Sequence, residues 1–552
     1  MMTVRWALPA TMTVAALVVL CAWHAGFSPQ TAFVWSASIP LDGGWRVYNG
    51  QIPHQDFHSP VGYLYLGLLG GCMRWFGVTP DALTHVGALL FIPATLWTWI
   101  LAQRRFTPWL AGLVTLLLPV HLVTLTIFGS QGADGLSLGG QYSRISWGLF
   151  MIAALAIVTP PRAGTTDRAR VNECFVTGII IGMLFGIKVT YVAGLAGLLG
   201  LAWCGGLMRL RWSLPAILVG AGLSIAVGLI ATGASLSGYL HDLALAQASN
   251  SLSFAALAWA QARRIDPVLI AIVLAHGVLS WPLLAALPRP RWLFGLPMPV
   301  AGGLAVLIGG HLLSSLNGTE TTCPVHVLAI LVMQAGVEQA RWQGKLPIMT
   351  GLSGAPMALC TIVGCALWGQ MAYPIAKAAM GSGVDRQPTA LARDSVATGP
   401  WAGHDWMHSS AAVADPRDYI ASLNQLGYTV FANAWLLHLR SGLQELTALH
   451  ATSSDVVVSL DAINPFPFAA GLSSPKKDHL YWHLGRNVIE ATAPSADELF
   501  RDATIVMRPA IPAFEDVADR KFALYGTYIN ANFRRIGNTS PLWTVWVRPD
   551  RP

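Results

Sequence analysis

Eleven apolar runs, each close to the length that crosses a lipid bilayer, fill most of the first 375 residues. They stand at about 6–26, 82–102, 107–128, 144–160, 173–189, 190–208, 213–236, 266–286, 293–314, 321–338 and 349–373. A helix needs roughly 20 apolar residues to cross the hydrocarbon, where every backbone polar group must be satisfied inside the helix. The whole chain is 54% hydrophobic and 11% charged over 552 residues. That is too little charge to cover a soluble protein of this size. The expected fold is therefore mostly α, a polytopic membrane helix bundle with about eleven spans.

A twelfth apolar stretch, 61–77, is short and follows Pro60 directly. Its placement sets the topology. If it crosses, five basic loops fall outside: Arg104-Arg105, Arg162/Arg168/Arg170, Arg209/Arg211, Arg289/Arg291 and Arg341/Lys345. That breaks the positive-inside bias. If it lies at the outer interface, all five become cytoplasmic. The second arrangement is expected, with an uncleaved first helix, the N-terminus inside and the C-terminus outside. It also gathers the unusual polar residues outside, namely the 27–81 loop, the 129–143 loop, Lys188-Val-Thr190-Tyr191, the 237–265 loop and Ser314–Val325. Chemistry is expected on that face.

The excess of base reports this topology. Residues 1–375 carry 18 Lys and Arg against 10 Asp and Glu, and residues 376–552 carry 16 against 17. No basic run is interleaved with aromatics, so no nucleic-acid partner is expected. All seven cysteines fall in the membrane part, without CxxC or zinc spacing, and read as small core residues.

From about 376 the composition turns polar. The division expected is a membrane domain, 1–375, and an extracytoplasmic α/β domain, 376–552. Within the second, 378–412 reads as a linker, 415–428 and 431–450 have helical spacing, and Val456–Leu460, Ala503–Met507 and Leu542–Val547 read as strands. No nucleotide-binding glycine-rich loop is present. Asp461, Trp482 and Arg486 are candidates to hold a saccharide or an anion; the alternative is a packing domain that shapes the entrance to a membrane site.

The first outer loop carries the densest chemistry: Asp42-Gly-Gly-Trp-Arg46-Val-Tyr48-Asn-Gly50-Gln-Ile-Pro53-His54-Gln55-Asp56-Phe57-His58-Ser-Pro60. A carboxylate here can take a proton from an attacking hydroxyl. Asp42 is the first candidate, on a solvent-facing loop, and Asp56 the second. The alternative for Asp42 is the cap of a helix starting at Gly43. His54, Asp56 and His58 alternate, so an extended backbone places them on one face, where His54 and His58 with one more ligand would hold a divalent metal. The alternative is a pair of hydrogen-bonded surface histidines. Cations at outer helix ends, Arg144, Lys188, Arg263 and Arg264, suit a phosphate; snorkelling anchors are their alternative. Asp134, His241-Asp242 and Glu320 complete the outer polar set.

The order of the first loop resembles the GT-C superfamily of polytopic membrane glycosyltransferases, which includes aminoarabinose transferases and protein O-mannosyltransferases. Many of its members carry an acid, a Tyr, a G-x-x-P-Y-R-D-F run and a Pro opening an apolar helix. Here these are Asp42, Tyr48, Gly50-Gln-Ile-Pro53-His54-Gln55-Asp56-Phe57 and Pro60. Gly186-Ile-Lys188-Val-Thr190-Tyr191 is similar to the family's K-x-T-Y helix end, and Tyr142-Ser143-Arg144 to its Y-N-R. The family's second acid is replaced by Gly43, and its Y-R by His54-Gln55. The resemblance implies transfer of a sugar from a polyprenyl-phosphate donor at the outer face of a bacterial plasma membrane. Its acceptor would be a glycan, lipid or protein. The site residues would be Asp42 or Asp56 as base, and Tyr48, Tyr142, Arg144, Lys188, Arg263 and Arg264 as substrate or phosphate ligands. Two alternatives stand beside this. A transporter or flippase of a lipid-linked glycan would place ionisable groups near the bilayer midplane. A non-catalytic partner in envelope assembly would need no site at all.

Overall fold

The computed structural model describes residues 2–26, 34–124, 140–208, 210–250, 253, 255, 259, 267–285, 287, 296–317, 323–343, 354–380, 428–510, 512–513, 517–537 and 541–551. Its helices are α1 (Met2–Ala25), α2 (Val34–Tyr48), α3 (Tyr63–Phe76), α4 (Ala82–Ala102), α5 (Pro108–Leu117), α6 (Gln141–Val158), α7 (Asp167–Ile187), α8 (Thr190–Cys204), α9 (Leu210–Thr232), α10 (Leu236–Ser249), α11 (Pro267–Leu284), α12 (Met298–Asn317), α13 (Cys323–Trp342) and α14 (Gly354–Ala379). A helix stands at each of the expected spans. Seven are long and apolar enough to cross a membrane by length and composition, and three more apolar helices are shorter. Large apolar side chains face outward along α9 (Leu218, Leu223, Val227, Ile230) and α11 (Val268, Leu274, Val278). A contiguous surface of that kind needs lipid or a partner to cover it.

Within the expected outer loop, 27–81, α3 stands at the apolar stretch read at 61–77, and α2 is a helix where a polar loop was expected. Pro40, Gly43 and Gly44 are poor helix formers, so local propensity does not explain α2. Tertiary packing does. Leu41, Trp45 and Leu66 are buried, and Trp45 donates its indole N–H to the Leu472 carbonyl at 2.8 Å. The 14 residues of α3 rise about 21 Å, short of the roughly 30 Å hydrocarbon core.

Beyond residues 381–427, which lie outside the described residues and include most of the expected linker and all but the last residue of the expected 415–428 helix, an α/β unit follows. It comprises α15 (Tyr428–Ala448), β1 (Val457–Ser459), α16 (Phe466–Ala470), α17 (Ala496–Leu499), β2 (Ile505–Pro509), α18 (Val517–Asn532), β3 (Arg534–Arg535) and β4 (Trp543–Val547). The sheet order is β1-β2-β4-β3. β1 and β2 are parallel, and the other pairs antiparallel. A parallel pair needs a long crossover, and the crossover from Leu460 to Thr504 is the part that meets the membrane helices. Leu472 and Ser474 touch α2. Asp478 and Leu480 exchange backbone hydrogen bonds with His58.

Candidate active site

Three charged clusters lie along this crossover. The first surrounds Lys188, the residue that breaks α7 from α8. Its ammonium donates to Ser143 Oγ at 2.9 Å. It sits 4.8 Å over the Tyr142 ring and 6.0 Å from that of Tyr191. Arg144, buried, donates from Nε to the Thr124 carbonyl at 3.1 Å, and its Nη2 is buried with no partner among the described residues. Tyr65 hydrogen-bonds Gln141 and packs its ring 5.8 Å from Tyr142. The charge of Arg486, on the crossover, bears on both Lys188 and Tyr142. Among the described residues no carboxylate pairs with Lys188 or Arg144. The helices α6 and α8 both begin here without a side-chain cap, so the positive ends of their dipoles add to the potential. Such a place favours an anion with oxygen acceptors.

The second cluster is centred on Asp242 in α10. His54 Nδ1 donates to its Oδ2 and His58 Nδ1 to its Oδ1, both at 2.7 Å. The Ser59 amide adds a third bond at 2.9 Å. Burial alone raises this carboxyl, but the hydrogen bonds from His54 and His58 outweigh it and hold it down to about 2. The expected extended strand is not what joins the two histidines. His54 takes a left-handed φ of 63°, and Pro53 bridges Phe57, so a tight turn aims both rings at α10. Close approach depends on Gly238, where a Cβ would stand 2.3 Å from the His54 carbonyl oxygen. Asp56 turns away and accepts from the Ile52 amide at 2.8 Å. The histidines thus share a carboxylate, and among the described residues no group of three or more His, Cys, Asp or Glu is arranged to hold a metal ion. His241 and His479 lie near, with ring centroids 6.4 Å and 5.4 Å from His58. Burial pushes the His479 imidazole down to about 4.

The third cluster corrects the expectation for Asp42. It is neither a solvent-facing loop residue nor a cap, but stands inside α2 and is 1% exposed. Its Oδ2 accepts from Arg46 Nε at 2.7 Å and its Oδ1 from Ser474 Oγ at 3.0 Å. Burial pushes its carboxyl up, and Arg46 and Ser474 counter this in part. Arg46 in turn donates to the Pro475 carbonyl at 2.5 Å. Tyr48 stacks on Trp45 at 5.4 Å on the same helix.

The structure therefore brings Tyr142, Arg144 and Lys188 together as one group. It gives His54 and His58 to Asp242 and places Asp42 and Tyr48 on the α2 contact with the crossover. Arg263, Arg264, Asp134 and Glu320 lie outside the described residues. Trp482 is 1% exposed, with its N–H on Asp478 and the Lys521 ammonium 4.4 Å over its ring, so it packs the α/β core. Asp461 accepts from the Ala462 and Ala513 amides. The residues under-read from sequence are Asp242, Ser474 and Asp478. Only Asp242, beside His241, carried a local signal, and its partners are 184 and 188 residues away.

The two loops and the crossover meet over the end of α7. Gly62 donates its amide to the Ile187 carbonyl at 3.1 Å, and a Cβ there would stand 2.1 Å from the Gly186 oxygen. Tyr239 of α10 donates to the Phe185 carbonyl at 2.8 Å.

No protein-family model and no curated protein matches the sequence. Solved structures similar to the chain include the following two. One is ArnT from Cupriavidus metallidurans bound to undecaprenyl phosphate, at 12% identity over 98% of this chain and 97% of that one, with a TM-score of 0.43. The other is the archaeal oligosaccharyltransferase AglB from Archaeoglobus fulgidus in complex with an inhibitory peptide and a dolichol-phosphate, at 12% identity over 90% of this chain and 69% of that one, with a TM-score of 0.31.

Proposed function

We propose that this chain is a membrane glycosyltransferase that takes a sugar from a polyprenyl-phosphate donor and passes it to an envelope or lipid-linked acceptor. One observation carries the reading. Two buried or half-buried cations, Lys188 and Arg144, converge with tyrosines at two helix starts, and no described carboxylate neutralises them. When the sugar leaves, the phosphate gains a negative charge. Cations already in place stabilise that charge more in the transition state than in the bound donor, which is what accelerates transfer. The first-loop motif and the helix-end motifs around Lys188 and Tyr142 support the same reading. Asp42 then serves the site as scaffold, since both its oxygens are spent on Arg46 and Ser474, and Asp56 gives one oxygen to the turn at the Ile52 amide.

Purified protein incubated with radiolabelled polyprenyl-phosphate sugars, followed by product analysis, tests this. A labelled product other than free sugar is the expected result. Lipid-phosphate binding that is the same in wild type, Lys188→Met and Arg144→Gln would remove the cluster from the site. The outer-face orientation is tested by labelling intact cells in a cysteine-free background, with Arg535→Cys expected to react and Ala163→Cys to stay protected.

A specific observation favours the transporter reading as second. Inside the bundle, His276 of α11 bonds Gln334 of α13 at 3.2 Å, and Gln334 donates to Glu338 at 3.3 Å. All three are fully buried, and ionisable groups within spans commonly mark pathways. Movement of an unchanged lipid-linked glycan across proteoliposomes, without glycosyl transfer, would select that reading.

A further inference from the structure

We propose that His58 is the general base of the transfer, oriented by Asp242; the proposal rests on the glycosyl-transfer reading. Of the two acids that stand in the first-loop motif, Asp42 has both oxygens taken and Asp56 one. Asp42 accepts from Arg46 and Ser474, and Asp56 from the Ile52 amide. His58 is different. Its Nδ1–H donates to the carboxylate of Asp242, which sets the tautomer and leaves a lone pair on Nε2. Among the described residues that Nε2 has no hydrogen-bond partner. A carboxylate that fixes one ring nitrogen so that the other can accept a proton is the arrangement general-base catalysis needs.

Exposure separates the two histidines on Asp242. The side chain of His54 is 0% exposed and that of His58 is 24% exposed. His54 therefore clamps the carboxylate from the protein side, and His58 presents its free nitrogen outward. The position of His58 is right for the chemistry. Its backbone pairs with Asp478 and Leu480, and the same segment continues to Tyr481 and Arg486, whose charge bears on Tyr142 and Lys188. From the other direction, Gly62 seats the loop on Ile187, the residue before Lys188. The base and the cations thus flank one short stretch of chain.

The step balances as follows. The acceptor oxygen forms a bond to the anomeric carbon. The bond from that carbon to the phosphate oxygen breaks, and its electron pair leaves with the polyprenyl phosphate toward Lys188 and Arg144. The acceptor's proton moves to His58 Nε2 and is later released to water.

The test compares wild type, His58→Ala and His58→Gln in three measurements: binding of undecaprenyl phosphate, turnover of the radiolabelled donor accepted by wild type, and turnover with added imidazole. Binding within about twofold of wild type is expected, with turnover reduced about 10²–10⁴-fold and imidazole restoring part of it in His58→Ala. Turnover within a fewfold of wild type in both variants overturns the base while leaving the glycosyltransferase intact. Joint loss of binding and turnover, with no rescue, makes His58 a structural clamp and overturns it too. A wild type that transfers no sugar from any donor sinks the glycosyl-transfer reading, and His58 as its base with it.

Discussion

Asp42–Arg46 and Lys188–Arg144 are charge clusters near the crossover, the first buried and the second buried at Arg144 and half-buried at Lys188, and they differ in one further respect. In the first, both carboxylate oxygens are taken, by Arg46 and Ser474. In the second, an ammonium and a guanidinium share the company of hydroxyls, carbonyls and rings, and Arg144 keeps a partnerless Nη2. A buried charge is tolerated when it is paired and hydrogen-bonded. The reciprocated pair therefore ties α2 to the α/β unit. Lys188 and Arg144 hold positive charge that a bound anion would relieve. Sequence position points to the first as chemistry, and pairing points to the second.

The largest effect should come from breaking the reciprocated pair. Asp42→Ala leaves the Arg46 guanidinium buried and unpaired, and should cost about 3–5 kcal/mol of stability, read by thermal or denaturant unfolding in detergent. A fully stable Asp42→Ala protein that has lost only turnover would return Asp42 to catalysis and collapse the contrast. Next is the cation pair. Lys188→Met should weaken undecaprenyl-phosphate binding by about 1.5–3 kcal/mol, the worth of a hydrogen bond to a charged group, while the unfolding midpoint holds. A lowered midpoint with unchanged binding would make Lys188 structural.

Asp242 sharpens the comparison through pH. Its carboxyl is held down to about 2 in the folded chain, so it binds its proton more weakly folded than unfolded. Its contribution is complete above the ordinary carboxylate range and lost as pH falls from about 4 toward 2, an amount of order 2 kcal/mol. Stability measured across that window should fall less steeply in Asp242→Asn. Equal slopes would show that the histidines do not hold the carboxylate as drawn. The smallest effect belongs to Arg486, which is exposed. Arg486→Gln should weaken lipid-phosphate binding by under about 1 kcal/mol, and the difference should vanish at high salt. A larger loss that survives salt would place Arg486 in direct contact with the phosphate.

Legibility followed distance along the chain. The spans could be read because each is a local run of apolar residues, and helices stand at all of them. Strands near 457, 505 and 543 were readable for the same reason, as short β-branched or aromatic runs. Lys188 and Tyr142 stood out through motifs at their helix ends. The first loop misled because Pro40, Gly43 and Gly44 argue against a helix, and the contacts that override them, such as Trp45 on Leu472, lie 427 residues away.

By itself, then, the sequence determined a helical membrane body and the local motifs that set cations at helix ends, since hydrophobic length and residue chemistry are properties of neighbours in the chain. Only the tertiary structure decided which charges are spent and which are offered. Asp42 is closed by Ser474 from 432 residues away and His58 is oriented by Asp242 from 184. A side chain's pairing depends on what packing brings beside it, and no local pattern carries that information.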